Sequence, residues 1–247
     1  MLPVPPVPAA TTQWALFLDV DGTLLEFAAK PDAVQVPAGL VSLLLRLQHR
    51  LHGALALISG RRLASLDNLF KPLALPAAGL HGFECRDARG VLQRAPIDDD
   101  FVMLMQRHGR DIAERFPGVL VEDKQFSIAF HYDPMSAQQA SLQRELIPVA
   151  QQLGFELLAG HNLLELKPAN VNKGKALLAF LEEPPFAGRV PIFLGDDVTD
   201  EHALRAVREH GGMAIQVADR ITSVAQFGLP DSRAVLQWLQ HWEEQFL

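Results

Sequence analysis

The sequence predicts an α/β protein: a three-layer, Rossmann-like core with a mostly parallel β-sheet, interrupted by an inserted α+β domain. Short apolar runs, typical of strands buried on both faces, alternate with amphipathic helices near both ends of the chain. Between them lie segments that read as hairpins and two longer helices. The predicted organisation is a flexible tail at 1–12, a discontinuous core at 13–84 and 170–247, and an inserted domain at 85–169.

The first half of the core reads strand, helix, strand, helix. Leucines that recur with helical spacing after Gly39 predict the first helix, and a break at Ser59 and Gly60 ends the second strand. This order predicts a right-handed parallel unit. The predicted elements are strands at 15–18 and 54–58 and helices at 39–52 and 62–70.

The inserted domain and the second half of the core follow. Gly90 separates two short extended pieces and predicts a hairpin turn, and alternating aromatic and apolar residues predict a strand at 125–132. The inserted domain is predicted to hold extended pieces at 82–86, 91–94, 118–121, 125–132, 155–158 and 163–166, with helices at 101–116 and 137–153. The late core is predicted to hold helices at 173–181, 199–209 and 232–246, with strands at 190–194 and 213–217.

Composition limits the possible functions. The chain has 247 residues, 49% of them hydrophobic, and a net charge of −7. An acidic surface argues against nucleic acid or an anionic membrane as a partner. A single cysteine, Cys85, cannot form an internal disulfide, and we find neither a signal peptide nor an apolar run of about 20 residues. The expected location is therefore the cytoplasm.

Two acids end the first predicted strand, within the run LFLDVDGTLL. Asp19 and Asp21 are two positions apart, so their side chains point the same way in an extended chain. They lie at the carboxyl end of a parallel strand, where open α/β sheets bind ligands. Gly22 and Thr23 follow, in a turn whose backbone N–H groups could hold an anion. An Asp-Gly turn with incidental acids does not account for all these features together.

A second acidic strand end is GDDVTDE at 195–201. A helix cap at Thr199, with acids in the first helical turn, accounts for the end of this motif. It does not account for Asp196 and Asp197. Close to the acids of the first strand, these carboxylates would concentrate negative charge, which a hard cation with oxygen ligands, most simply Mg²⁺, would relieve.

Groups that could bind a phosphate stand at two further positions. The Ser59 hydroxyl and the Gly60 N–H suit a phosphate oxygen, although a helix cap is the commoner explanation of Ser-Gly alone. Lys173 begins a predicted helix, where the helix dipole disfavours a cation, so a bound anion explains it better. Lys175 is better explained as a solvated side chain.

Four stretches in this order, DVDGTLL, ISGR, NKGKA and GDDVTDE, resemble the motifs of the haloacid dehalogenase superfamily of aspartate-nucleophile phosphotransferases. Dehalogenases of this superfamily lack the second acid, so Asp21 indicates phosphoryl chemistry. The long insertion between Gly60 and Lys173 implies a cap domain of the type placed after the second motif. Such caps close over the core site, exclude water and select the leaving group.

The resemblance implies a role for each motif residue. Asp19 would attack phosphorus and form an aspartyl phosphate, and Asp21 would protonate the leaving alcohol and then activate water. Lys173 would hold a phosphoryl oxygen and offset the charge on Asp19. The other implied phosphate-binding residues are Gly22, Thr23, Ser59, Gly60 and Arg61. The implied Mg²⁺ ligands are Asp19, the main-chain carbonyl of Asp21, and Asp196, with Asp197 or Asp200 supporting them from behind.

Shorter matches in core and insertion resemble the trehalose-6-phosphate phosphatases: SGR, GLHGFE, VEDKQFSIAFHY and LELKP. This resemblance implies a phosphoric monoester hydrolase of trehalose biosynthesis that acts on a small sugar phosphate. The sequence does not fix the oligomeric state; a monomer is the expectation, and a dimer contact through Trp238 and Trp242 stays open. The implied sugar-binding residues are Glu122, Lys124 and Glu165. On composition alone, a solvated hairpin tip explains the first two better.

Other functions stay open at this point. The nearest is a phosphatase of another sugar phosphate, such as sucrose phosphate or a hexose phosphate, with the same type of cap. A phosphomutase would need an intermediate that survives against water. A non-catalytic phosphosugar sensor has no support, because every acid needed for turnover is present.

Overall fold

The computed structural model describes residues 2–9, 11–26, 34–96, 99–123, 127–133, 135, 138–160, 162–218 and 224–246. Contacts divide the chain into two compact units, 1–94 with 172–247, and 95–171. The strands are β1 (Trp14–Leu18), β2 (Leu55–Ile58), β3 (Ala77–Gly79), β4 (Glu84–Arg86), β5 (Leu92–Arg94), β6 (Leu120–Asp123), β7 (Ile128–His131), β8 (Phe155–Gly160), β9 (Leu163–Pro168), β10 (Val190–Gly195), β11 (Met213–Val217) and β12 (Phe227–Leu229). The helices are α1 (Leu40–Arg50), α2 (Leu63–Phe70), α3 (Asp99–Glu114), α4 (Gln138–Leu153), α5 (Lys173–Leu181), α6 (Glu201–Glu209) and α7 (Ser232–Glu244). Within the described part of the chain, no helix is both long and apolar enough to cross a membrane.

The first unit is built on one large sheet. Its described strands number eight, in the order β12-β11-β10-β1-β2-β3-β4-β5, and all pairs from β12 to β3 are parallel. β1 lies between β10 and β2, and its residues from Ala15 to Leu18 are fully buried, as the continuous apolar run predicts. The predicted α/β fold is confirmed.

The hairpin β4–β5 belongs to this sheet. β4 pairs antiparallel with β3, and β5 pairs antiparallel with β4. Gly90 has a φ of 83° in the turn between them, a conformation that suits glycine. The contacts therefore place residues 85–94 in the first unit, whereas the sequence put the boundary after residue 84.

The second unit has its own core. Its described strands form an antiparallel sheet in the order β6-β7-β9-β8. Apolar side chains from α3 and α4 pack against one face of this sheet. The buried residues of this core include Met105 and Ile112 of α3, Leu142 and Leu146 of α4, and Phe130, Leu164 and Leu166 of the sheet. Four residues of the predicted strand 125–132 form β7, which ends at His131; residues 125 and 126 lie outside the described residues.

The N-terminal segment packs on the first unit, which differs from the loose tail expected for residues 1–12. Leu2 and Val7 contact the main hydrophobic core. The Gly228 N–H donates to the Pro3 carbonyl oxygen at 2.9 Å, and the Trp238 indole N–H donates to the Pro5 carbonyl oxygen at 3.3 Å. Proline residues have no backbone N–H to donate to a neighbouring strand, but the carbonyl oxygens of Pro3 and Pro5 accept these hydrogen bonds.

Gly174 allows α5 and α6 to lie unusually close. A Cβ at this position would stand 2.5 Å from the His202 carbonyl oxygen, so Gly174→Ala must push the two helices apart. We expect a loss of about 2 kcal/mol in the free energy of unfolding, measured by chemical denaturation. Gly90→Ala, in open space at a positive φ, is the control and should lose only about 1 kcal/mol. An equal or smaller loss for Gly174→Ala would contradict the close-packing explanation.

Candidate active site

The central feature of the first unit is a buried carboxylate where β1 ends. The Asp19 N–H donates to the Leu194 carbonyl oxygen of β10 at 3.0 Å, which continues the parallel ladder one residue beyond β1. Asp19 is only 3% exposed. Its position at the carboxyl end of a central strand is the one predicted from the sequence.

The turn after Asp19 places the next motif residues. Asp21 lies in this turn and is partly exposed, and Gly22 has a φ of 81°. The Gly22 N–H, which the sequence assigned to an anion, donates to the Leu25 carbonyl oxygen at 2.7 Å. Thr23 is fully buried, and its hydroxyl donates to Asp196 Oδ1 at 3.4 Å, which links the two acidic motifs.

Lys173 joins two of the acids. Its Nζ donates to Asp19 Oδ1 at 2.7 Å and to Asp200 Oδ1 at 2.6 Å, and all three side chains are buried. Burial alone would lower the pKa of Lys173, but the charges of Asp19 and Asp200 raise it above its usual value. Burial also raises the pKa of Asp19 well above its usual range, with Asp200 and Asp196 adding to the rise and Lys173 opposing it. Lys173 is therefore a charged ammonium, and it stabilises the ionised form of Asp19, which burial disfavours.

Three carboxylates are grouped closely enough to hold one metal ion. Asp19, Asp196 and Asp200 each offer an oxygen, and these oxygens lie within 4.8 Å of one another. Burial first, and then the charge of Asp200, raise the pKa of Asp196 to about 7. Lys173 supplies one ammonium against these three carboxylates, so two negative charges are left between these four groups when all are ionised. A hard divalent cation with oxygen ligands fits this donor set.

Asp200 has a more central place than the sequence indicated. It is fully buried, and its Oδ2 accepts from the Asp197 N–H at 2.9 Å while Oδ1 faces Lys173. Asp197, not Thr199, is the N-cap: its side chain accepts from Val198 at the start of a 3₁₀ turn before α6. A Cβ on Gly195 would stand 2.5 Å from Asp200 Cγ, so the glycine of GDDVTDE makes room for this carboxylate.

The loop after β2 carries the expected hydroxyl and an arginine. Ser59 is 1% exposed, and its Oγ accepts from the Arg61 N–H at 3.1 Å. The Arg61 guanidinium, which the sequence assigned to phosphate, donates from Nε to Asp21 Oδ2 and from Nη2 to Asp21 Oδ1, both at 2.6 Å. A Cβ on Gly60 would lie 3.0 Å from the His81 ring, so glycine permits that ring to pack here.

The segment GLHGFE, which the sequence analysis quotes only for its family resemblance, supports this loop. Leu80 and His81 both have positive φ, 50° and 59°, a strained pair for residues with side chains. Their N–H groups donate to the carbonyl oxygens of Arg61 and Ser59 at 2.9 Å. Glu84 Oε1 accepts from the N–H of the first residue of α2 at 2.6 Å. Only the two glycines of GLHG signal this turn in the sequence, and they do not identify what it contacts.

In the second unit, two of the three expected sugar-binding residues share one row of the sheet. Glu122 is paired in register with Ala129, and Ala129 with Glu165, so the two carboxylates lie on the same face. Glu122 Oε2 lies 3.0 Å from His131 Nε2, within hydrogen-bonding distance, and Glu165 Oε1 accepts from the Ser127 hydroxyl at 2.6 Å. This is the face opposite the apolar core of the unit. Lys124 lies outside the described residues.

These features define the class of protein. A parallel sheet with an acid pair after its central strand, a buried lysine at the start of a helix and a further acidic strand end is the arrangement of haloacid dehalogenase superfamily phosphatases. In agreement, the fold resembles that of a phosphatase of this superfamily from Bacteroides thetaiotaomicron, with a TM-score of 0.69 at 16% identity over 97% of this chain and 98% of that one. The C-terminal domain of Candida albicans trehalose-6-phosphate phosphatase has a TM-score of 0.87 at 24% identity, over 99% and 98% of the two chains.

Sequence comparison narrows the class to a family. Residues 17–227 match the family model described as trehalose-phosphatase. A probable trehalose-phosphate phosphatase of Sinorhizobium fredii is 42% identical over 90% of this chain and 84% of its own length. The trehalose-6-phosphate phosphatase of Escherichia coli is 36% identical over 96% of this chain and 90% of its own. The chain belongs to the trehalose-phosphatase family, and it is an enzyme of the phosphoric monoester hydrolase type.

The raised pKa of Asp196 predicts that the metal-free protein loses stability as pH rises. Since the folded state holds this proton up to about pH 7 and the unfolded state loses it near pH 4, the folded state binds more protons between these values. The free energy of unfolding should therefore fall across that window, by on the order of a few kcal/mol from this group.

Denaturation of the chelator-treated protein at pH 5 and at pH 8 measures the effect. Asp196→Asn, which cannot ionise, is the comparison and should gain stability relative to the parent as pH rises. A difference between the two proteins that does not change with pH would contradict the assignment.

Proposed function

We propose that this chain hydrolyses trehalose 6-phosphate to trehalose and phosphate, through an aspartyl-phosphate intermediate and with Mg²⁺. The names of its relatives support the substrate. The observation that carries the chemistry is the buried Asp19 carboxylate, with Lys173 Nζ at 2.7 Å and the Asp196 and Asp200 carboxylates beside it. A nucleophile, a phosphate-binding cation and a metal-binding acid group then occupy one sheet edge.

The first step uses three side chains of the first unit. One Asp19 oxygen attacks phosphorus, and the bond from phosphorus to the sugar oxygen breaks. The leaving oxygen keeps the electron pair and takes a proton from Asp21. Lys173 holds a phosphoryl oxygen and stabilises the charge that develops there. In the second step Asp21, now a carboxylate, accepts a proton from water as the water attacks phosphorus and frees Asp19.

The remaining motif residues bind or position. We assign phosphoryl-oxygen contacts to Ser59 and Gly60, at the end of the neighbouring strand β2, with Thr23 holding Asp196 in place. Asp19 and Asp196 would hold Mg²⁺, with the Asp21 main-chain carbonyl, and Asp200 and Asp197 order the loop behind them. When bound, Mg²⁺ supplies positive charge that lets an anionic nucleophile meet an anionic phosphate.

We assign recognition of the sugar to the polar face of the second unit. Glu122 and Glu165 lie in one cross-strand row, and carboxylates on such a row can accept hydrogen bonds from neighbouring sugar hydroxyls. Glu165 is 4% exposed and is held by Ser127, so its orientation is set before a ligand binds. Lys124, from the adjoining residues, is assigned to the same role on the resemblance of the sequence alone.

A phosphate-release screen tests the proposed substrate. Purified protein is incubated with trehalose 6-phosphate, sucrose 6-phosphate, glucose 6-phosphate and 4-nitrophenyl phosphate, with Mg²⁺ or with chelator. We expect the highest kcat/KM for trehalose 6-phosphate. Faster turnover of 4-nitrophenyl phosphate than of every sugar phosphate would contradict a sugar phosphatase, and a phosphorylated product isomer would indicate a mutase.

Loss of one carboxylate on the polar face should affect the sugar substrate alone. For Glu165→Gln and Glu122→Gln we expect KM for trehalose 6-phosphate to rise about tenfold or more, since each removes a charged hydrogen-bond acceptor. kcat/KM for 4-nitrophenyl phosphate should stay within about twofold, because that ester has no sugar hydroxyls to lose contact with. The matched control is Asp123→Asn, which alternation places on the other face of β6. Equal effects of Asp123→Asn would refute the assignment of this face.

A further inference from the structure

The Arg61–Asp21 pair is the contact at the site that the proposed mechanism leaves unexplained. Arg61 donates from Nε and Nη2 to the two oxygens of the Asp21 carboxylate, and both distances are 2.6 Å. The Arg61 side chain is 10% exposed and the Asp21 side chain is 29% exposed. Such a bidentate contact fixes the plane of the carboxylate as well as its distance.

Arg61 is itself held by the loop that carries it. Its N–H donates to Ser59 Oγ at 3.1 Å, and its carbonyl oxygen accepts from the Leu80 N–H at 2.9 Å. A Cβ on Gly79 would stand 2.8 Å from that carbonyl oxygen, so β3 packs directly on the Arg61 backbone. Nη1 also contacts Ser65 Oγ at 3.4 Å, on the first turn of α2. The guanidinium therefore reaches Asp21 from a braced loop.

Asp21, in contrast, stands in a turn after a strand, with its side chain partly open to solvent. A carboxyl group that must give a proton to one oxygen and later take one from water needs a defined direction, since small displacements of a reacting group cost rate. When one oxygen carries the proton, the other can still accept from the guanidinium. One of the two contacts can thus persist through both steps.

We infer that Arg61 is a positioning residue for the acid and base Asp21, and that it acts on protonation of the leaving alcohol rather than as a primary phosphate ligand. The inference rests on the proposed function for the role of Asp21. In the step concerned, the bond from phosphorus to the alcohol oxygen breaks, the electron pair stays on that oxygen, and the proton moves to it from Asp21. Asp19 gains the phosphoryl group.

Dependence on the leaving group separates positioning from phosphate binding. A 4-nitrophenolate leaves as a stable anion and needs little protonation, whereas an alkoxide needs a proton as it leaves. For Arg61→Lys, which keeps the charge but cannot form the two-point contact, we expect kcat/KM to fall about 10- to 100-fold with trehalose 6-phosphate. With 4-nitrophenyl phosphate it should fall by about threefold at most. kcat/KM is the right quantity because it reports transfer to the enzyme and not the later hydrolysis.

Three further variants set the references. Ser59→Ala should lower kcat/KM for both substrates by similar factors, as expected of a phosphate ligand. Asp21→Asn should show the same selectivity for leaving group as Arg61→Lys, with a larger loss. Arg86→Lys is the matched control: Arg86 makes an equivalent two-point contact to Asp67, at 2.9 and 2.7 Å, elsewhere in the unit. It should show no dependence on leaving group.

A double-mutant cycle then tests whether Arg61 acts through Asp21. In the Asp21→Asn background, Arg61→Lys should change kcat/KM by less than about twofold, because the group it positions is already lost. Additive losses, or equal losses for the two substrates with a raised KM, would overturn the inference and favour phosphate binding. Should Arg61→Lys fold poorly, as judged by thermal melting, Arg61→Gln replaces it in the same series. If trehalose 6-phosphate is not hydrolysed, the same variants are compared with phenyl phosphate and 4-nitrophenyl phosphate, whose leaving groups differ in their need for a proton. Failure of the proposed substrate can then be told apart from failure of the role inferred for Arg61.

Discussion

Replacement of Asp19 by asparagine is expected to reduce phosphate release by roughly 10⁴-fold or more, to near the detection limit. The amide has almost the shape of the carboxylate but is not a nucleophile at phosphorus. Asp19 is buried at the end of β1, and its oxygen lies 2.7 Å from Lys173 Nζ. Phosphate release with saturating substrate and Mg²⁺ measures the loss.

The fold should survive this substitution. Lys173 keeps its contact with Asp200 at 2.6 Å, and removal of one buried charge reduces repulsion among the acids. Thermal melting should therefore show a folded protein of similar or higher stability without metal. Asp67→Asn, at the ion pair with Arg86, is the control and should keep full activity. Turnover by Asp19→Asn at the parent rate would exclude covalent catalysis by this residue.

The fold was largely predictable because most elements carry their own signal. β1, β10 and α5 show an apolar run or a helical period over their whole length, and their observed bounds lie within one residue of the predicted ones. β3 and β12 were missed. They are three residues each, AAG and FGL, too short to show a period, and they are strands only because a neighbouring strand completes their hydrogen bonds.

The sequence predicts which acidic residues belong to the candidate site, but it does not predict which side chains contact one another there. The motif residues follow from local sequence, Asp19 and Asp196 from their strand ends and Lys173 from its helix start, and this is why the sequence offers them as candidates. The central place of Asp200 and the contact between Arg61 and Asp21 depend on which loops meet across the sheet edge. No local pattern carries that information. The same holds for the 79–84 turn, whose two strained residues are stabilised by carbonyl oxygens of another loop.

Removal of divalent metal is expected to lower turnover by roughly 10²- to 10³-fold, and Mg²⁺ should restore it. The physical reason is the charge balance of the group formed by Asp19, Asp196 and Asp200. Lys173 supplies one ammonium to this group, so when all three carboxylates are ionised two negative charges are left to repel an incoming phosphate. Burial strengthens that repulsion, as the raised pKa of Asp19 and of Asp196 indicates. Phosphate release after treatment with chelator, followed by titration with Mg²⁺, measures both halves of the prediction.

The Mg²⁺ titration also tests which acids are responsible. Asp196→Asn removes a ligand at the group, so the Mg²⁺ concentration for half-maximal rate should rise by about tenfold or more. Asp197→Asn is the matched control. Asp197 is the next residue in the chain, but its side chain accepts from the Val198 N–H, at the start of the 3₁₀ turn, and it does not belong to the group of three acids. Its titration should stay close to that of the parent. Full turnover in metal-free protein would contradict the need for a metal ion, and equal midpoints for both variants would contradict the role of Asp196 as a ligand. We expect neither, because one Lys173 ammonium, 2.7 Å from Asp19 and 2.6 Å from Asp200, cannot balance three carboxylates.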